Sequence, residues 1–227
     1  MAVSLSQTAA GSDDTSSQTT ITLSSKSIGT AASDRLIFFG VTTDGGVRTA
    51  VSVTSVTIGG ISAASTGAAY NPTSLTNARM QFWWALVSSG TTASVVVNFN
   101  GPCDSTAEID WALYRVVGAD TASPLSGSPV TATGTSPIDG SLTIPTNGCG
   151  IAAGKSNSGS AFTWTNLTED TDASGAMTGR RYTFASSTSA GTATRTLTGG
   201  AGQGEGLYMI AIAEAVDTLA PQQLRFM

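Results

Sequence analysis

Two carboxylates two residues apart, Glu108 and Asp110 in the segment EIDWALYR, are the first candidates for chemistry in this 227-residue chain. Residues i and i+2 of a strand project from the same face, so the pair would share one environment. Two readings are open: a carboxylate pair available for chemistry, or a solvated or Arg115-paired face of a strand whose other side buries Ile109, Trp111 and Leu113. A second acidic cluster, Asp170, Asp172 and Ser174 in DTDASG, has the oxygen spacing that opens a calcium loop. The twelfth position, where a bidentate glutamate should close such a loop, is Arg181, with Arg180 beside it. An acidic turn is therefore expected, with weak Ca²⁺ binding as its alternative.

Other constellations fall short on spacing or residue type. The run from Gly199 to Gly206 places Glu205 where a dinucleotide fingerprint counted from Gly200 needs its last glycine. It also leads into the strand-like LYMIAIAEA, so no helix dipole would meet a phosphate. Histidine is absent, which removes Ser-His-Asp and Cys-His catalysis together with histidine zinc sites. Cys103 and Cys149 lie in separate turns, and either two thiols or a disulfide is compatible with their spacing. The sequon Asn166-Leu167-Thr168 needs a secretory route to matter, and the first residues have neither a basic nor a long apolar stretch.

The elements that would position these groups are short runs rich in Val, Ile, Thr and aromatics, bounded by Gly, Asn, Pro or Ser. Strands are predicted near 19–23, 35–43, 50–58, 79–87, 93–99, 108–117, 141–144, 150–153, 161–165, 181–186, 191–198 and 207–215. That spacing predicts an all-β jelly-roll or β-sandwich of two antiparallel sheets over 18–215. A flexible N-terminal arm is expected over 1–17, a polar surface excursion over 119–140, and a short C-terminal tail over 216–227. The phase of the apolar residues flips around Thr54-Ser55, which predicts a bulge, and Gly59-Gly60 predicts a tight hairpin between Ile58 and Ile61. Asp34 next to Arg35 predicts a local ion pair or a turn cap at a strand entry. RLIFFGV and MQFWWALV are nearly continuous apolar runs, as in strands buried on both faces or flanked by a partner.

Charged residues make up 11 % of the chain, well under the roughly 25 % of an average soluble protein, and the net charge is −5. With only Lys26 and Lys155 for lysines, neither nucleic acid nor an anionic membrane is an expected partner. A surface of hydroxyls and small side chains gives up little hydration when a neighbour covers it, which suits a subunit packed among copies. Adjacent Trp83 and Trp84 must point to opposite faces of one strand, so one of them leaves the core of its own sheet. Trp84 is the candidate for contact with a neighbouring element, another subunit or a sugar ring. In the tail, Leu219, Leu224, Phe226 and Met227 are either disordered or an assembly arm buried in a neighbour.

Two resemblances add to this reading. EIDWALYR is similar to the catalytic strand of concanavalin-like β-glucanases, a Glu-Ile-Asp core followed by a second glutamate. Here Ala112, Leu113 or Tyr114 stands where that glutamate belongs, and the mechanism needs both carboxyl groups. Further, TTITLSSKSIGTAASDRLIFFGV, VTSVTIGGISA with the later WWALVSSGTTASVVVNF, and IDWALYRVVGA together resemble virion proteins of tailed bacteriophages and gene-transfer-agent-like particles. That resemblance implies a non-enzymatic jelly-roll structural protein, a capsid decoration or head-fibre subunit, made in the host cytoplasm and carried in the virion. It implies other virion proteins as partners, a homo-oligomer such as a trimer, and no cofactor. The alternative is a carbohydrate-binding or host-adhesion module of a phage tail, with a host glycan as ligand.

Overall fold

A computed structural model describes residues 2–44, 51–75, 77–104, 107–176, 180–200 and 204–215, and those residues contain strands and no helix. The first half of the chain carries β1 (Ser4–Asp14), β2 (Thr20–Ser27), β3 (Leu36–Asp44), β4 (Val53–Ile58), β5 (Ile61–Ser62), β6 (Ala64–Ser65), β7 (Ala78–Leu86), β8 (Thr92–Phe99) and β9 (Glu108–Val117). The second half carries β10 (Val130–Thr135), β11 (Ile138–Ile144), β12 (Cys149–Ser156), β13 (Thr163–Thr165), β14 (Thr168–Ser174), β15 (Arg181–Ser187), β16 (Gly191–Thr198) and β17 (Gly204–Ile212).

These strands form four antiparallel sheets, not the expected two. The orders are β1-β9-β3-β7-β6 and β2-β8-β4-β5 in the first half, and β10-β17-β12-β15-β14 and β11-β16-β13 in the second. The second half repeats the plan of the first. Replacing β1, β9, β3, β7 and β6 by β10, β17, β12, β15 and β14 converts one five-stranded sheet into the other, and β2-β8-β4 becomes β11-β16-β13. Each half is a β-sandwich, so the predicted all-β sandwich architecture is present twice.

Three apolar cores separate the four sheets. The first lies between the two sheets of the first half and contains Ile37, Phe39, Val41, Trp83, Val95 and Leu113. The third lies within the second half around Leu142, Phe162, Leu197 and Met209. Between them Leu36, Phe38, Phe82 and Tyr114 pack against Ile151, Tyr182, Phe184 and Tyr208, which joins the two sandwiches back to back. This middle core explains the unbroken apolar runs: LIFFGVTTD of β3 is buried at every position because both of its faces are covered. The partner implied by that pattern is the other half of the same chain.

Two contacts show how closely the sandwiches approach. Phe82 and Phe184 meet edge to face with centroids 6.5 Å apart. A Cβ on Gly40 would lie 2.8 Å from Phe184 Cε1 and closer still to Phe82 Cε1, so only glycine lets β3 sit there. Gly40→Ala is expected to destabilise the fold by about 1–3 kcal/mol through overpacking. Chemical denaturation of the variant against the parent measures this, and an unchanged midpoint would show that the joint is loosely packed.

Several local expectations meet the structure. The register of β4 against β8 shifts between Val53 and Ser55, the predicted bulge. Gly59 and Gly60 have φ of 61° and 79°, and Ile58 pairs with Ile61 across them. Others are corrected. Residues 4–14, expected within a flexible arm, form β1, laddered along the edge of β9 with Gly11 opposite Trp111. Small side chains serve that strand because the Trp111 ring lies over it: a Cβ on Gly11 would be 2.9 Å from Trp111 Cζ2. The polar stretch 119–140 is not a free excursion, since β10 within it pairs with β17. Cys103 and Cys149 are free thiols in different cores.

Candidate functional site

The structure gathers the chemistry-bearing residues in two places. The first is the joint between the sandwiches. There Asp44 at the end of β3 and Glu108 and Asp110 on β9 face Lys155 on β12. Asp44 stands opposite Glu108 and Thr42 opposite Asp110 in the β3–β9 register, which places the three carboxylates on one face. Lys155 Nζ donates to Glu108 Oε1 at 2.9 Å and to Asp110 Oδ2, and lies 3.9 Å from Asp44 Oδ2. Thr42 Oγ1 donates to Asp110 Oδ2 at 3.1 Å, and Arg180 pairs with Asp44. Glu108, Asp110, Asp44 and Lys155 are all at most 1 % exposed.

Burial by itself would lower the pKa of the Lys155 ammonium, but Asp110 and Glu108 outweigh it and hold the group above its usual value. A lysine held protonated has no lone pair for nucleophilic chemistry. The neighbouring Tyr182 phenol is pushed up to about 12, first by burial and then by the Asp110 charge. The cluster therefore works as a charged clamp between the halves. The expected solvated or Arg115-paired face is corrected: Glu108 and Asp110 are buried against Lys155, while Arg115 Nε donates to the Thr30 carbonyl.

The acidic segment at Asp170, Asp172 and Ser174 is not a turn but strand β14, so its oxygens do not wrap one point. Asp170 Oδ2 accepts from the Tyr114 hydroxyl at 2.9 Å across the joint, and its pKa is raised by burial. Asp172 accepts from Arg181 Nε at 2.6 Å and from the Phe162 N–H at 2.9 Å. Among the described residues no group of three or more His, Cys, Asp or Glu side chains is placed to hold a metal.

Trp83 points into the first core, and Trp84 packs half-buried against the middle core, its ring centroid 6.5 Å from that of Phe38. Trp84 therefore lies on the middle core, to which both sandwiches contribute. Leu219, Leu224, Phe226 and Met227 lie outside the described residues. Arg35 does not pair with Asp34. It is buried and donates to the carbonyls of Val87 (2.7 Å), Gly29 (2.8 Å), Gly90 (3.0 Å) and Ser89 (2.6 Å), tying the β7–β8 turn to the β2–β3 connection. Asp34 instead accepts from the Gly118 N–H at 2.8 Å.

The second place is a cleft of about 310 Å³ at one end of the second sandwich, where the chain crosses between sheets at the β13–β14 and β15–β16 turns. Asn166, Thr168, Ser187, Ser189, Thr192 and Arg195 line it. Arg195 is its one charged residue and is 2 % exposed. Its Nη1 donates to the carbonyls of Leu142 (2.9 Å) and Ala193 (2.6 Å), but among the described residues its Nε has no partner.

Lys155 and Arg195 are the residues that motif reading passed over. Each carried a usable signal. Lys155, one of two lysines, ends the small apolar run CGIAAG. Arg195 takes the place of an apolar residue in the alternation Ala193, Arg195, Leu197.

No protein-family model matches the chain, and no curated protein matches it.

Proposed function

We propose that this protein is a non-enzymatic structural component of a tailed-bacteriophage virion, a capsid decoration or head-fibre subunit that acts through protein–protein contacts. The observation that carries the reading is the pairing of two like sandwiches in one chain. The sheets of the first half, β1-β9-β3-β7-β6 and β2-β8-β4-β5, interleave strands distant in sequence, which supports the jelly-roll reading that the resemblance to virion proteins implies.

The distribution of charge supports it. Of 10 basic and 15 acidic side chains, Arg35, Asp44, Glu108, Asp110, Lys155, Arg195 and Glu205 are buried, which leaves a surface poorer in charge than the composition alone implies. Such a surface is cheap to cover, and Ile61 and Leu86 add exposed apolar area at 43 % and 39 %. Mass spectrometry and imaging of purified particles test the proposal. The chain is expected at a fixed copy number on capsid or tail, and its absence from particles while abundant in the lysate would overturn it.

A second reading, a carbohydrate-binding or host-adhesion module of a phage tail, is favoured by the cleft at Arg195. It shifts the expected contact from Trp84, which is half-buried on the middle core, to the cleft of the second sandwich.

A further inference from the structure

Because the chain builds the same sandwich plan twice, the two halves serve as controls for one another. In the first half, the end that corresponds to the cleft is filled. Ile58, Val87, Ala93 and Val95 are buried there, and a Cβ on Gly59 would lie 3.6 Å from both Ala93 and Val87. The inward residues of β8 are Ala93, Val95, Val97 and Phe99, all apolar. On the corresponding strand of the second half, β16, an arginine takes one of the inward positions, between half-buried Ala193 and buried Leu197.

The two buried arginines differ in the same way. Arg35 uses Nε, Nη1 and Nη2 on main-chain carbonyls and closes the β7–β8 turn over its own end of the first sandwich. The residue that precedes β12, as Arg35 precedes β3, is Gly148, so the second half has no such clamp. Arg195 leaves its Nε unsatisfied, and among the described residues no carboxylate lies within ion-pair distance of it. A buried cation without a counter-charge is costly, and a half-used guanidinium is more costly than a satisfied one. Arg35 offsets that cost with carbonyl partners on all three of its nitrogens, and Arg195 does not.

We propose that this cleft binds a carboxylate-bearing sugar residue, a uronate or a sialate at the end of a glycan. The inference deepens the adhesion reading and rests on it; it is independent of assembly. One arginine matches one carboxylate: with Nη1 of Arg195 taken by the Leu142 and Ala193 carbonyls, the donors left to a planar acid are those of the Nε edge. The rest of the lining speaks for a polyol. Hydroxyls of Thr168 and Ser189 can donate and accept, as ring hydroxyls require, and Ser187 and Thr192 keep further capacity beside their bonds to the Ser189 N–H and Thr143, while Leu167 and Ala190 offer apolar surface to the C–H face of a ring. A phosphate would bring more charge than one arginine answers, and a neutral sugar would leave the arginine unpaired. The volume, about 310 Å³, lies at the small end of ligand pockets, roughly 300–1,000 Å³, which suits a single ring.

Saturation-transfer NMR and calorimetry on the full chain would use methyl glucuronide and N-acetylneuraminic acid as probes, with methyl glucoside and inorganic phosphate as comparators. Saturable binding of an acidic sugar is expected, weakened roughly 10- to 100-fold in Arg195→Met as a charge-assisted pair is lost. Because Arg195 is buried, Ala190→Trp is the second variant: it fills the cleft from its exposed side, removes no hydrogen bond, and should abolish binding in a protein with an unchanged melting temperature. Failure of both acidic sugars to bind, or binding that survives Ala190→Trp, would overturn the proposal. Equal binding of inorganic phosphate would reduce the site to a simple anion site and overturn it as a sugar site. Binding of methyl glucoside at the same cleft would overturn the acidic specificity while keeping the adhesion reading.

Discussion

Lys155→Met is expected to destabilise the protein by about 3–5 kcal/mol, the cost of stranding buried charges when one partner of an ion cluster is removed. Lys155 contacts Glu108 and Asp110, and it lies 3.9 Å from Asp44. Without it Arg180 still answers Asp44, but Glu108 and Asp110 lose their ammonium in a place that water does not reach. The triple variant Lys155→Met, Glu108→Gln, Asp110→Asn should recover a large part of the loss, because it removes the stranded charges along with the lysine. Urea unfolding at neutral pH measures both. A single variant as stable as the parent would mean that the clamp does not hold the sandwiches together. The pH dependence has a defined sign. Lys155 is held above its ordinary pKa of 10.5, so its contribution is fully present below that value and is lost as the pH rises through the higher folded value.

Glu205→Gln is expected to change the pH profile of stability at the other end of the range. Glu205, on β17, is buried, and among the described residues neither carboxylate oxygen has a hydrogen-bond partner. Burial raises its pKa from 4.5 to about 7, tempered by the nearby Ser136 hydroxyl and Gly199 N–H, which bond to each other at 2.8 Å. Between those two values the folded chain holds the proton and the unfolded chain does not. Stability contributed by the neutral form is therefore full below about 4.5, falls as the pH rises towards about 7, and levels off above. A shift of that size corresponds to at most about 3 kcal/mol between pH 4.5 and 8. Glutamine cannot ionise, so the difference in unfolding free energy between variant and parent should move by up to that amount in the variant's favour across the interval. A pH-independent difference would show that the Glu205 carboxyl titrates normally.

Both expectations turn on ionisable groups that the fold buries, Lys155 within an ion cluster and Glu205 outside one. Strand positions were legible because burial on one face leaves a period of two, as in β8, where Ala93, Val95, Val97 and Phe99 are inward. β1 was not, since SLSQTAAGSDD has no apolar period and is held by its ladder to β9 and by the ring of Trp111 above Gly11. The duplication was hidden for a related reason. Where the first half packs Phe39, Val41 and Trp83 on its inner face, the second packs Ala152 and Ala185 and has Gly154. A core constrains total volume across facing positions, not the residue at each one, so one strand order can be kept with unlike side chains.

The all-β class, the hairpin at Gly59-Gly60, the bulge near Thr54 and the low charge follow from local composition and period, since backbone conformation and one-sided burial are written residue by residue. The pairing of Glu108 and Asp110 with Lys155 spans 45 to 47 residues, and the cleft at Arg195 is formed by two turns that sequence order keeps apart. Whether a carboxylate pair is an exposed acid face or a buried clamp depends on what covers the sheet. Here a second sandwich covers it, and only the packing of one half on the other decided that.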